Sequence, residues 1–224
     1  RNGRLKLAAK PAHYDKLARA HETLVNEVDP NVVMLTADQV RDELGVDQFY
    51  GGILQTTSAQ MHMGKFGVGL ADAAVKHGAK LYESAAVTGI DRLSNNRYQV
   101  ISNRGTVTAD KVFLATGSSA KGPFSYFRRR LVSVGSFIVV TEPLVPELLS
   151  RLLVERRSYV TSKNIGNYFR VTPDNRLLFG GRARFAMSNP RSDEKSGHIL
   201  RASMAEVFPQ LSHVRIDYCW GGLV

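Results

Sequence analysis

The spacing of hydrophobic positions along this chain changes period several times, and each change marks an element. In residues 11–28, Tyr14, Leu17, Ala18, His21, Leu24 and Val25 recur at helical spacing, with Pro11 placed for a first turn. The spacing predicts an amphipathic helix, with His13 and His21 as packing or surface residues. A shorter helix is marked by its ends. Thr36 is placed to cap it, Gln39 completes a capping box, Leu35 and Val40 form a hydrophobic staple, and Gly45 is a stop. Ile53-Leu54 reads as a short strand behind Gly51-Gly52. Residues 65–77 return to the helical period, with Phe66, Leu70, Ala73 and Ala74 on one face. Their small side chains predict close packing on a sheet.

Residues 81–117 are the stretch around which the rest is organised. Val87, Ile90 and Leu93 are separated from Tyr98, Val100 and Ile101 by Ser94-Asn95-Asn96, and a second reversal at Asn103-Arg104-Gly105 precedes Thr106-Val107-Thr108. This pattern predicts a β-meander. The run Val112-Phe113-Leu114-Ala115 is apolar on both faces and predicts a buried return strand of the parallel-sheet kind. It stops at Thr116-Gly117-Ser118-Ser119, small residues at the carboxyl end of a strand, where open α/β sheets bind ligands.

Beyond it, residues 118–130 are polar, basic and interrupted by Gly and Pro, which reads as a crossing into a second structural unit. Strands are predicted at 132–141, 158–162, 167–172 and 177–180, with Thr172-Pro173-Asp174-Asn175 as a hairpin turn. Asn167-Tyr168-Phe169-Arg170 alternates as a strand with one pocket-facing side does. A helix at 192–211 places Leu200, Met204, Val207, Phe208 and Leu211 on one side, and a closing strand at 214–220 runs into Gly221-Gly222.

Composition narrows the class. The 224 residues suffice for one large domain or two small ones, and 43% hydrophobic with 22% charged residues describe an ordinary globular protein. No apolar run approaches membrane-spanning length. Cys219 is the only cysteine, so no intrachain disulfide forms and a reducing, cytoplasmic compartment is expected. Six scattered histidines give no spaced metal set, and no metal is expected. The formal charge of +10 comes from dispersed arginines, among them Arg128-Arg129-Arg130, Arg156-Arg157, Arg182 and Arg184. A solvated basic face is the first reading of that charge, an anionic cofactor the second, and nucleic acid a distant third.

Several of these motifs also carry a resemblance. Val87 ahead of the meander, ADKVFLATG at residues 109–117, TEPL at 141–144, LLFGG at 177–181 and the tryptophan-led Gly221-Gly222 stretch occur in the order of the D-amino-acid-oxidase-like FAD oxidoreductases. Within that family the chain is most similar to gamma-glutamylputrescine oxidases and to deaminating glycine or D-amino-acid oxidases. The resemblance implies FAD as cofactor and an amine or amino acid as small-molecule substrate. Hydride would pass from the carbon beside nitrogen to flavin, and the imine would then be hydrolysed. It also implies that Val87 holds the adenine through its backbone, that Ala115, Thr116 and Gly117 lie along the dinucleotide, and that Gly180, Gly181, Gly221 and Gly222 lie near the flavin. His62, Tyr168 and Arg170 are the candidate substrate-binding residues, with Arg182 as a further arginine of similar standing. Met63 stands where the family often has proline. No catalytic acid or base is assigned, since a neutral amine needs none.

The resulting expectation is an α+β architecture, with a partial FAD-binding α/β lobe and a substrate-type lobe whose antiparallel sheet is covered by helices. Its segments are residues 1–63 as a helical entry to the substrate pocket, 64–120 as the partial FAD lobe, 121–213 as the substrate domain, and 214–224 as a return strand. No GxGxxG motif follows a strand near the start, and no Asp-x-x-Pro-x-x-Gly follows Trp220. The chain is therefore expected to be an internal stretch of a longer enzyme, inactive when isolated. Two other classes stay open: a catalytically silent fragment or subunit needing the missing FAD-binding half, and a basic nucleic-acid-binding or RNA-modifying flavoprotein module.

Overall fold

The computed structural model describes residues 2–117, 125–132, 134–184 and 190–223. Its elements in chain order are β1 (Arg4–Leu7), α1 (Pro11–Glu27), β2 (Val32–Leu35), α2 (Ala37–Leu44), β3 (Gly52–Gln55), α3 (Met63–Lys76), β4 (Val87–Arg92), β5 (Tyr98–Ser102) and β6 (Gly105–Ala109). Then follow α4 (Ser125–Arg128), β7 (Gly135–Pro143), α5 (Pro146–Leu149), β8 (Ser158–Thr161), β9 (Tyr168–Val171), β10 (Arg176–Arg184), α6 (Pro190–Val207) and β11 (Ile216–Leu223). The chain divides into two compact units. The first comprises Arg1–Gln60 with Val134–Gly222, and the second Met61–Ser133 with Leu223–Val224.

In the first unit, one sheet of eight strands runs in the order β11-β7-β10-β9-β8-β1-β3-β2. Residues 1–63 thus contribute three strands as well as helices, and β1 joins β8 in parallel while pairing antiparallel with β3. Strand alternation then sorts the side chains. Leu5 and Leu7, Tyr159, Phe169 and Val171, Leu177 and Phe179, and Phe137 and Val139 are buried on one face. There they pack with Val40 and Leu44 of α2, Leu149 of α5, and Leu200, Met204 and Val207 of α6. Within this core Tyr159, Phe169 and Phe179 stack in series with centroids 5.3 and 5.6 Å apart, and Phe208 meets Phe169 edge-on at 5.2 Å. On the opposite face, α1 covers only the β2–β3 end, where Leu17 packs on Val32 and Ile53.

The helix ends follow their sequence signals. Thr36 Oγ1 accepts from the Gln39 amide while Gln39 Oε1 accepts from the Thr36 amide, and Gly45 ends α2 in the left-handed region at φ 71°. One polar group goes into the core with α2. The Glu43 carboxylate is 8% exposed and accepts from Tyr159 Oη at 2.9 Å and Arg157 Nε at 3.0 Å. Burial pushes the Glu43 carboxyl above its ordinary value, and the hydrogen bonds from Tyr159 and Arg157 pull it partly back. The Tyr159 phenol is raised, first by burial and then by the neighbouring carboxylate.

The second unit contains the antiparallel meander β4-β5-β6, with Asn96 in the left-handed region at φ 64° in its first reversal. Two expectations fail here. Val112 to Ala115 forms no strand, and Phe113 is 91% exposed. A strand apolar on both faces needs neighbours to bond its backbone and cover both sides, and among the described residues none pairs with it. For the same reason α3, although amphipathic in sequence, buries no residue, and Phe66 and Leu70 are exposed. The turn residues Ser118 and Ser119 lie outside the described residues.

The Glu43 cluster generates a pH test. A carboxyl whose folded pKa lies above its unfolded value holds its proton more tightly when folded. Its contribution to stability is therefore complete below the ordinary value of 4.5 and is lost as pH rises through the folded value. In urea titrations the protein should lose stability relative to Glu43→Gln as pH is raised from about 4 to about 7. A difference independent of pH contradicts this placement of Glu43.

Candidate functional site

Because Phe169 is locked into the core, its neighbours in β9 point the other way. Tyr168 and Arg170 both lie half-buried on the sheet face opposite the main core, the face whose β2–β3 end α1 covers. Pairing registers set one row across that face: Lys6, Val160, Tyr168, Gly180 and Ile138. A second row sets Arg170 beside Leu178 and Val140. The alternation of this strand is realised, with Phe169 in the core and Tyr168 and Arg170 on the other face.

Tyr168 is fixed at both ends. A Cβ built on Gly180 would lie 2.2 Å from the Tyr168 ring, so only glycine lets the ring lie flat across β10. Its hydroxyl then shares a hydrogen bond with Ser136 Oγ on β7 at 2.9 Å. Arg170 Nη1 donates to Gln60 Oε1 at 3.3 Å, and Gln60 is itself anchored by donating to the Arg156 carbonyl at 2.8 Å. Gly181 packs against Asn167 and the Gly166 carbonyl, and Gly221 against the Phe137 ring, so tight packing alone already demands glycine at 181 and 221. Gly222 differs, with nothing within 4 Å of where its Cβ would be. The side chain of Arg182 lies outside the described residues.

The remaining candidates belong to the second unit. His62 caps α3, its Nδ1 accepting from the Lys65 amide at 3.2 Å, which leaves Nε2 as its outward group. Val87 opens β4 half-buried opposite Ser102. Ala115, Thr116 and Gly117 are exposed, and Gly117 is left-handed at φ 60° with open space around it. Bare main chain of this kind fits a flat or phosphate-bearing group laid against it.

Sequence reasoning missed Ser136 and Gln60. The alternation of residues 135–139 does place Ser136 and Ile138 on one face, but which strand lies beside them is a long-range fact. It also missed the His13 Nδ1–Ser162 Oγ contact at 2.6 Å, which ties the first turn of α1 to the end of β8. Among the described residues no three His, Cys, Asp or Glu side chains gather as a metal set. A shallow hollow lined by Gln39, Asp42, Glu43, Val154 and Glu155 lies on the helix-covered side and shares no residue with the Tyr168 face.

Residues 1–224 match the FAD dependent oxidoreductase family throughout. A Haemophilus influenzae protein named "Probable oxidoreductase OrdL" is 30% identical over 197 residues, covering 86% of this chain and 44% of that protein. Gamma-glutamylputrescine oxidoreductase of Escherichia coli is 30% identical over 191 residues, covering 84% and 43%. The chain thus spans less than half the length of these relatives. Glycine oxidase from Geobacillus kaustophilus superposes with a TM-score of 0.79 at 22% identity, covering 99% of this chain and 58% of that one. L-proline dehydrogenase from P. horikoshii gives 0.80 at 16%, covering 99% and 59%, and at these identities the likeness is one of fold.

The packing of Tyr168 on Gly180 is testable by a double-mutant cycle. Gly180→Ala should cost about 1–3 kcal/mol in the native background by displacing the ring. In a Tyr168→Ala background the same change should cost less than about 0.5 kcal/mol. Equal costs in chemical denaturation would contradict the contact.

Proposed function

Because this chain belongs to the FAD-dependent oxidoreductase family, we propose that the whole protein oxidises an amine or amino acid at its C–N bond, with FAD as the acceptor. The observation that carries this reading is the pair Tyr168 and Arg170. Both stand on the sheet face opposite the main core, beyond the β2–β3 end that α1 covers, with the Tyr168 ring seated on a glycine. The printed names of the relatives, gamma-glutamylputrescine oxidoreductase and glycine oxidase, support substrates of this class.

Bound FAD supplies the hydride acceptor, and the protein's own groups orient the substrate. The Arg170 guanidinium pairs with a substrate carboxylate, and Gln60 holds it in place. The Tyr168 hydroxyl, steadied by Ser136, lines the wall of the site. His62 offers Nε2 to substrate or cofactor, its other nitrogen being engaged in the helix cap. The substrate carbon gives up a hydride and its nitrogen a proton. Water then adds to the resulting imine and releases the amine and a carbonyl product. For the cofactor, the Val87 backbone would hold the adenine, and Ala115, Thr116 and Gly117 would hold the dinucleotide along their exposed main chain. Gly180, Gly181, Gly221 and Gly222 would border its ring system. Among the described residues no helix is long and apolar enough to cross a membrane. The lone Cys219, whose thiol donates to the Asp193 carbonyl, fits a reducing cytoplasm.

The test is anaerobic mixing of the full-length protein, loaded with FAD, with a panel of amino acids and amines. Loss of the visible flavin absorbance is the expected result for at least one of them. Arg170→Gln should raise KM for carboxylate-bearing substrates by about tenfold or more while leaving kcat within about twofold. Amines without a carboxylate should be unaffected. Flavin that no amine or amino acid bleaches, or an equal effect on both substrate types, would contradict the assignment.

A further inference from the structure

The face that carries Tyr168 and Arg170 also carries Lys6 and Arg4. Lys6 shares the row of Tyr168 through Val160, and Arg4 stands in the next row opposite Ser158. One step along the β8–β9 ladder from the Tyr159–Phe169 pair brings Ser158 opposite Arg170. Arg4 and Arg170 therefore lie two strands apart in one row and on one face, with roughly 10 Å between their Cα atoms.

Neither arginine has an acidic partner among the described residues. Arg4 Nη1 donates to Gln55 Oε1 at 3.3 Å, and Arg170 Nη1 donates to Gln60 Oε1 at 3.3 Å. Three arginines of the same unit show the alternative, a carboxylate partner. Arg157 is neutralised by Glu43, Arg176 by Asp174 and Asp217, and Arg215 by Glu142 and Asp217. An amide oxygen accepts one proton and orients a guanidinium without cancelling its charge, and the other N–H groups remain for a ligand. Two guanidiniums held this way in one row, with Lys6 beside them and Val160, Leu178 and Ile138 as the apolar floor, form a built arrangement for anions.

We propose that Arg4 and Arg170 make a two-point cradle, and that the substrate bears two carboxylates, one at each guanidinium. The amine to be oxidised belongs to the half of the molecule held by Arg170, and Arg4 reads the distal acid. The substrate assignment rests on the reaction proposed above, whereas the cradle can be measured without it.

The experiment is titration calorimetry of the chain with glutarate and with butyrate at low ionic strength. Glutarate should bind about tenfold or more tightly than butyrate. Arg4→Gln and Arg170→Gln should each bring glutarate down to the butyrate level, while Arg19→Gln on the exposed side of α1 should leave it unchanged. Equal binding of the two acids, no measurable glutarate binding, an unaltered Arg4→Gln variant, or an equal loss in Arg19→Gln would each overturn the cradle. Failure of the full-length protein to oxidise any amine would overturn the reaction and leave the glutarate result standing.

Discussion

The position of Phe169 determines the rest of the first unit. Its ring is stacked between Tyr159 and Phe179 and capped edge-on by Phe208, so β9 has no freedom to slip or roll. A shift of one residue would drive Tyr168 and Arg170 into the core and expose Phe169. The aromatic stack thus fixes the strand register, and the register dictates which side chains face away from α2, α5 and α6. Burial on one side of the sheet is in this sense the cause of polarity on the other.

Much of this was legible in the sequence because it is local. Pro11, the Thr36–Gln39 box and Gly45 mark helix ends through contacts within a few residues, and each is realised. The apolar spacing of residues 192–211 named Leu200, Met204, Val207, Phe208 and Leu211, all of which are buried, although α6 itself stops at Val207, two residues before Pro209. The alternation of residues 167–170 likewise announced one polar side. What the sequence left open was long-range. The four residues of β1 are too few to announce a strand, and its parallel pairing with β8 spans more than 150 positions of chain. Ser136 and Gln60 reach the site only through such pairings, so no local signal singled them out.

The second unit marks the opposite limit. Val112 to Ala115 has the composition of a buried strand, yet a strand is a relation between segments, and none of the described residues supplies the partner. The chain spans 44% of the relative with which it shares 197 aligned residues, so apolar patterns that are paired in such a protein need not be paired within this stretch. Glycines show a related ambiguity. Gly180 and Gly221 read as cofactor neighbours, and each also has a packing reason, in the Tyr168 and Phe137 rings respectively.

The central claim is that the substrate meets the face bearing Tyr168 and Arg170 and not the one packed under α2, α5 and α6. Methyl-resolved NMR of the chain titrated with iminodiacetate tests it most directly. The account predicts shifts of the Val160, Leu178 and Ile138 methyls, with Leu5, Val139 and Leu177 unchanged. Shifts confined to those three core residues, or none on the Tyr168 face, would contradict it.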